Sequence, residues 1–163
     1  MNDSGDPIHR QRPGPLVAAG LLLGAGLGGF LDAIVFHQLL QWHDMLSAQL
    51  PPDNLVDAKV NMFWSGVFQA TVWLMTLAGA VLLFRAGRRL DVPWRGRLAG
   101  GGALLGWGLF NMVEGLVNHH LLGLHHVRED LPNPLPADLA FLAAGLALAV
   151  IGAWLLRRSG AHG

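Results

Sequence analysis

Residues 28–46 read GGFLDAIVFHQLLQWHDML, so a glycine-rich apolar run ends in Asp32 and is followed by His37 and then His43. The pattern returns at a constant offset of 82 positions, in residues 110–130, FNMVEGLVNHHLLGLHHVRED, as Glu114, His119 and His125. The same offset carries Gly20, Leu22, Leu23, Gly24, Gly26, Leu27, Leu39 and Leu40 onto Gly102, Leu104, Leu105, Gly106, Gly108, Leu109, Leu121 and Leu122. The chain therefore holds one polar triad twice, each time at the end of a long apolar segment. An ionisable group in such a segment is retained against a cost of roughly 2.5–3.5 kcal/mol on insertion scales, which makes a functional site the default reading.

Composition says what surrounds the triads. The 163 residues are 52% hydrophobic and only 13% charged, with no net charge and a mean hydropathy of +0.40. A soluble domain does not carry that surplus, so apolar side chains are expected to face lipid. No basic patch is interleaved with aromatic residues, which excludes nucleic acid as a partner. The absence of cysteine excludes disulfides, thiolate zinc sites, iron–sulfur clusters and covalent haem attachment. Any metal would be held by nitrogen and oxygen.

Apolar segments of spanning length cover about residues 15–42, 61–84, 98–124 and 137–156, each long enough to cross a bilayer as a helix. Pro51-Pro52-Asp53, Asp91-Val92-Pro93 and the prolines at 132, 134 and 136 break the chain between them. The expected fold is all-α, an integral membrane four-helix bundle of two parallel helical-hairpin repeats, with polar tails at 1–14 and 159–163 around a membrane domain at 15–158. Arg10 and Arg12, then Arg85, Arg88, Arg89, Arg95 and Arg97, and finally Arg157 and Arg158 mark alternate connections. Cytoplasmic loops are enriched in such residues, so both termini are expected inside and the connections near 43–60 and 125–136 outside. His37, His43, His119, His120, His125 and His126 then lie at the outer ends of the first and third spans, and His9 and His162 in the tails. The first segment is too long for a cleaved signal peptide and lacks a small-residue cleavage site before Asp32.

Gly20, Gly24, Gly28 and Asp32 recur every fourth residue, as do Gly102, Gly106, Phe110, Glu114 and Asn118. Small residues so spaced let membrane helices approach closely, which aims the acids into the bundle. On an ideal α-helix the first histidine lies about 7.5 Å along the axis from its acid and about 140° around it, and the second about 16 Å away. One helix could not wrap all three around one ion, so the site is expected to combine both repeats with residues such as Asn61, Trp64, Ser65, Gln69 and Asp138. Asp32, His37, His43, Glu114, His119 and His125 are the candidate metal ligands, with Asp32 and Glu114 as catalytic acid or base. His120, His126, Asn118, Asp138 and Asn61 are candidates for orienting them. At an offset of 73, Ser65, Phe68, Gly79 and Leu82-Leu83 meet Asp138, Phe141, Gly152 and Leu155-Leu156, a weaker echo in the second and fourth spans.

The spaced motifs DxxxxHxxxxxH, from Asp32, and NxxEGxxxHHLLGxHHVR, from Asn111, resemble a family of bacterial four-span membrane proteins, domain of unknown function 2243. The resemblance covers about residues 20–152. It implies the fold but no activity. In that family's pattern the positions near Ser65 and Gln69 carry Asp and His, and this chain's departure there argues against metal ligands from the second span.

The expected function is a membrane protein of the bacterial inner membrane with a zinc, copper or iron site near its extracytoplasmic face. It is either a metal-dependent enzyme or a metal-handling accessory protein, with a respiratory or metal-handling protein as partner. Two alternatives stand beside it. One is a b-type cytochrome with haem held between His37 and His119; the other is a metal-free proton relay or partner-binding protein.

Overall fold

A computed structural model describes residues 11–160 and is all-helical among them. The tail histidines, His9 and His162, lie outside the described residues. Four α-helices follow in order: α1 (Gly14–Asp32), α2 (Leu55–Gly87), α3 (Gly96–Glu114) and α4 (Leu135–Gly160). Directly after α1 and α3 come two π-helical segments, Ala33–Leu39 and Gly115–Leu121. The helices overrun the expected spans at most ends, but the first and third stop short of Trp42 and Leu124. Gly14–Leu39, α2 and Leu135–Ser159 are long and apolar enough to cross a membrane.

Local chemistry sets the ends. Proline opens α1, where its missing N–H costs nothing. Asn54 caps α2, its Oδ1 accepting from Val56 N at 3.0 Å and Asp57 N at 3.1 Å. Asn133 Oδ1 accepts from Leu135 N at 3.2 Å at the start of α4.

Helices α1 and α3 form the centre; α2 packs on α1, and α4 on α3. The central contact is made by the glycine stripe. A Cβ on Gly20 would stand 2.6 Å from Ala99 O, and one on Gly102 2.8 Å from Val17 O; Gly24 and Gly106 abut the backbones of Ala103 and Leu21. Each contact maps onto the other under the 82-residue offset, so α1 and α3 are related by a twofold axis along the bundle. The flanking helices obey it too. Gly26 meets Val72 and Thr76 of α2 while Gly108 meets Gly145 and Ala149 of α4; Gly79 meets Leu23 while Gly152 meets Leu105. These pairs carry the weak 73-residue offset into three dimensions.

Because α2 and α4 sit at the flanks, they present broad apolar faces, including Phe63, Trp73, Leu77 and Phe84 on α2 and Leu146, Val150 and Trp154 on α4. Such faces suit lipid. At the arginine-bearing end, Leu16, Ala86, Val92 and Leu98 make a small apolar core. The buried polar residues Asp32, His37, His43, Glu114, His119, His125 and Asp138 gather at the other end.

Candidate metal centre

The π-segments explain how acid and histidine meet. An i→i+5 hydrogen-bond pattern places residue i+5 about one turn above residue i. Asp32 and His37, and likewise Glu114 and His119, have that spacing. His37 Nε2 consequently lies 3.3 Å from Asp32 Oδ2, and His119 Nε2 3.4 Å from Glu114 Oε1. This corrects the 140° separation expected from ideal α-helical geometry. The wide turns end in matching bonds, Leu40 N to Val35 O and Leu122 N to Val117 O, both 2.8 Å.

The second histidines arrive by a chain reversal. Gln41 and its counterpart Gly123 adopt positive φ, 50° and 55°, a conformation that glycine takes freely and glutamine rarely. Trp42 N then returns to Phe36 O at 2.9 Å, and Leu124 N to Asn118 O at 2.8 Å. Instead of continuing 16 Å up a helix, His43 and His125 fold back over the acids. His43 Nε2 stands 3.1 Å from His37 Nε2, and His125 Nε2 3.0 Å from Glu114 Oε1. A single repeat thus brings all three of its polar groups together, which an ideal helix forbade.

Two sets of three ligand atoms result, His37 with His43 and His125, and Glu114 with His119 and His125, each mutually within 4.8 Å. All six residues of the repeated triads join one buried cluster, with His125 fully buried. Asp32 Oδ2, Glu114 Oε2 and His119 Nε2 are buried without a hydrogen-bond partner. Buried polar groups are costly in that condition, and nitrogen and oxygen atoms so placed suit a divalent transition metal.

The surroundings orient the rings. His43 Nδ1 donates to Val127 O and His125 Nδ1 to Met45 O, both at 3.1 Å, so in the neutral rings each Nε2 lone pair is turned to the centre. Burial, and then the neighbouring His125 and His37, push His43 down to about 2. Burial also opposes charge on His125, but the hydrogen bond and charge of Glu114 outweigh it and hold this histidine above the ordinary imidazole value. Phe68 and Phe141 support His37 and His119, with ring centroids 5.9 Å and 5.4 Å away.

The remaining candidates divide. Asp138, fully buried, lies 3.3 Å from His119 Nδ1, accepts from His126 Nδ1 at 2.6 Å and from Val127 N at 2.8 Å. Asn61, though fully buried, binds Leu46 N and Leu50 O, both at 2.8 Å, and so shapes the connection between the first π-segment and α2 rather than touching the cluster. Asn118 enters through its backbone carbonyl, His120 is exposed, and Trp64 faces outward. The carbonyls of Met45 and Val127 were not among the expected participants; these positions are themselves related by the 82-residue offset, the one signal for them in the sequence.

A family model described as a predicted membrane protein, DUF2243, matches residues 19–159. No curated protein and no solved structure matches the chain.

Proposed function

The chain belongs to this DUF2243 family of predicted membrane proteins, and we propose that it binds and hands on a divalent first-row transition metal ion, zinc, copper or iron. In this reading Asp32, His37, His43, Glu114, His119 and His125 hold the ion. The observation that carries it is the convergence of four buried imidazoles and Glu114 in two ligand sets that share His125, with the buried Asp32 beside His37. Two carboxylate charges balance one dication and so lower the cost of holding it in a low-dielectric site. If the same centre is catalytic, Asp32 Oδ2 and Glu114 Oε2 are the atoms available to accept a proton. The basic-residue asymmetry supports four crossings of a bacterial inner membrane, with both termini cytoplasmic and the centre near the outer face.

The ring spacings favour an ion over haem. His43 lies 4.3 Å from His37 and 4.6 Å from His125 between centroids, and His125 lies 4.9 Å from His119, so the imidazoles pack on one another where a macrocycle would have to pass. A metal-free relay is the second reading, favoured by the contacts that join Asp32, His37, His43 and Val127 O.

Elemental analysis and a visible spectrum of detergent-purified protein test these together. Stoichiometric zinc, copper or iron without a Soret band is expected. Protein that contains none of these metals and takes up neither Zn²⁺ nor Co²⁺ overturns the metal reading in favour of the relay, and a Soret band overturns it in favour of haem.

A further inference from the structure

The twofold relation holds for the contact of each acid with its first histidine and for the bonds of His43 and His125 to carbonyls of the opposite repeat, and fails beside them. On the flank of the second repeat, Asp138 Oδ1 lies 3.3 Å from His119 Nδ1 while its Oδ2 takes the hydrogen bond from His126. Their counterparts in the first repeat are Ser65, at the offset of 73, and Asp44, at the offset of 82. There a cavity of about 450 Å³ opens, lined by His37, Gln38, Gln41, Asp44, Ser65 and Gln69 among others. His37 Nδ1 and Ser65 Oγ, both on its wall, are buried without a hydrogen-bond partner. The His37 side chain is only 3% exposed, so it separates the cavity from the centre.

His37 is also the ring of the four whose Nδ1 has neither a carbonyl nor a carboxylate beside it, although its Nε2 meets His43 Nε2 at 3.1 Å. His43 and His125 are held through Nδ1 by backbone carbonyls, and His119 Nδ1, which makes no hydrogen bond, faces the Asp138 carboxylate at 3.3 Å. A ring with no such partner can turn or swing at least cost. The cavity wall offers oxygen acceptors from three glutamine amides, the Asp44 carboxylate and the Ser65 hydroxyl, and no Lys or Arg lines it. An anion finds no counter-charge, whereas the waters around a cation find hydrogen-bond acceptors. A single water needs roughly 10–15 Å³ in such a measure, so the space accommodates an ion with its hydration shell. Gln38 and Gln41 are exposed at its edge.

We propose that this cavity is the port through which a hydrated divalent cation enters and leaves the histidine and carboxylate centre, with His37 as its movable wall. The inference rests on the metal-centre reading and makes exchange one-sided, Asp138 and His126 closing the opposite flank. Asp44 draws the ion in and is not one of its ligands.

The test uses the full chain in nanodiscs, with Co²⁺ loading followed by absorbance and release followed after addition of EDTA. A Cβ at Gly66, which lines the cavity, meets nothing within 4 Å, so Gly66→Phe fills the port without a backbone collision. It is expected to slow loading and release together by on the order of tenfold, leaving equilibrium affinity nearly unchanged. Asp44→Asn is expected to slow loading several-fold at low salt and to flatten its salt dependence. Wild-type rates in Gly66→Phe overturn the port alone; a wild-type protein that takes up no dication overturns the metal centre and the port with it. Diethylpyrocarbonate labelling of metal-free wild-type protein, read by mass spectrometry, probes access without any variant. Faster modification of His37 than of His119 is expected, and equal or reversed rates overturn the one-sided opening.

Discussion

His43 and His125 lie face to face, with ring centroids 4.6 Å apart and planes 3° from parallel, and each reaches across the repeat boundary to the other's loop. His43 Nδ1 meets the carbonyl of Val127, and His125 Nδ1 that of Met45. The exchange locks both rings and both loops at once, so neither loop is held in place by its own repeat alone. Ala48 N to Leu124 O at 3.1 Å and Glu129 N to Trp42 O at 3.3 Å add backbone bonds across the same boundary.

This reciprocity predicts strong coupling. His43→Ala and His125→Ala are each expected to lower metal affinity by more than the roughly 10–100-fold that loss of an orienting partner costs, and the double variant little further. Calorimetric titration with Zn²⁺ checks this. Summing losses would mean two independent sites.

Much of this arrangement is legible in the residues, and the parts that are not have physical causes. Helix content, the close contact of α1 with α3 and the inward aim of Asp32 and Glu114 follow from apolar length and the four-residue glycine stripe, since both periodicities hold wherever the helix is regular. The meeting of Asp32 with His37 does not follow from 3.6 residues per turn; the five-residue spacing, present twice, is the trace of a π-turn. Gln41 gave no warning of its positive φ, although its counterpart, Gly123, did. The cavity beside His37 is a failure of symmetry. It becomes visible only once Ser65 and Asp44 are placed against Asp138 and His126.

The glycine contacts make a prediction about stability. Gly24→Ala and Gly106→Ala press a methyl into the backbones of Ala103 and Leu21, and are each expected to destabilise by about 1–3 kcal/mol through overpacking. Gly100→Ala, where a Cβ meets nothing within 4 Å, is expected to be neutral or to stabilise by up to about 1 kcal/mol. Thermal unfolding in detergent, followed by circular dichroism, separates the two groups.

Orientation is open to labelling, since the chain has no cysteine of its own. Asn54 and Asn133 cap helices, so the neighbouring exposed Asp53 and Pro132 are better positions for a single cysteine. Asp53→Cys and Pro132→Cys are expected to react with an impermeant thiol reagent added to spheroplasts, and Arg88→Cys only after lysis. The opposite pattern would invert the topology.

Metal uptake should release protons. Imidazole ligates only when its bound nitrogen is deprotonated, and Glu114 holds His125 above the ordinary imidazole value. As pH falls through that raised value the proton competes better with the ion, so affinity for Zn²⁺ is expected to weaken with acidification and recover with rising pH. His43, pushed down to about 2, adds nothing to this dependence in the neutral range. Titrations in buffers of different ionisation enthalpy count the protons released, and pH-independent binding would show that His125 carries no proton to displace in the metal-free protein.

The acids carry the sharpest consequence, because Asp32, Glu114 and Asp138 are all buried but touch the histidines differently. Asp32 and Glu114 lie beside Nε2 atoms that face the centre, whereas Asp138 lies behind His119 at its Nδ1. A dication in a low-dielectric site needs the two central charges for balance. Asp32→Asn and Glu114→Gln keep shape and remove charge, so each is expected to abolish stoichiometric metal binding in a protein that still folds. Asp138→Asn keeps both central charges and weakens the orientation of His119 together with the bonds to His126 and Val127 N, so its expected effect is a loss of about 10–100-fold in affinity with stoichiometry intact. Metal content after gel filtration, together with Zn²⁺ titration, tells the two classes apart. Full metal content in both Asp32→Asn and Glu114→Gln would make these acids structural and remove them from the centre.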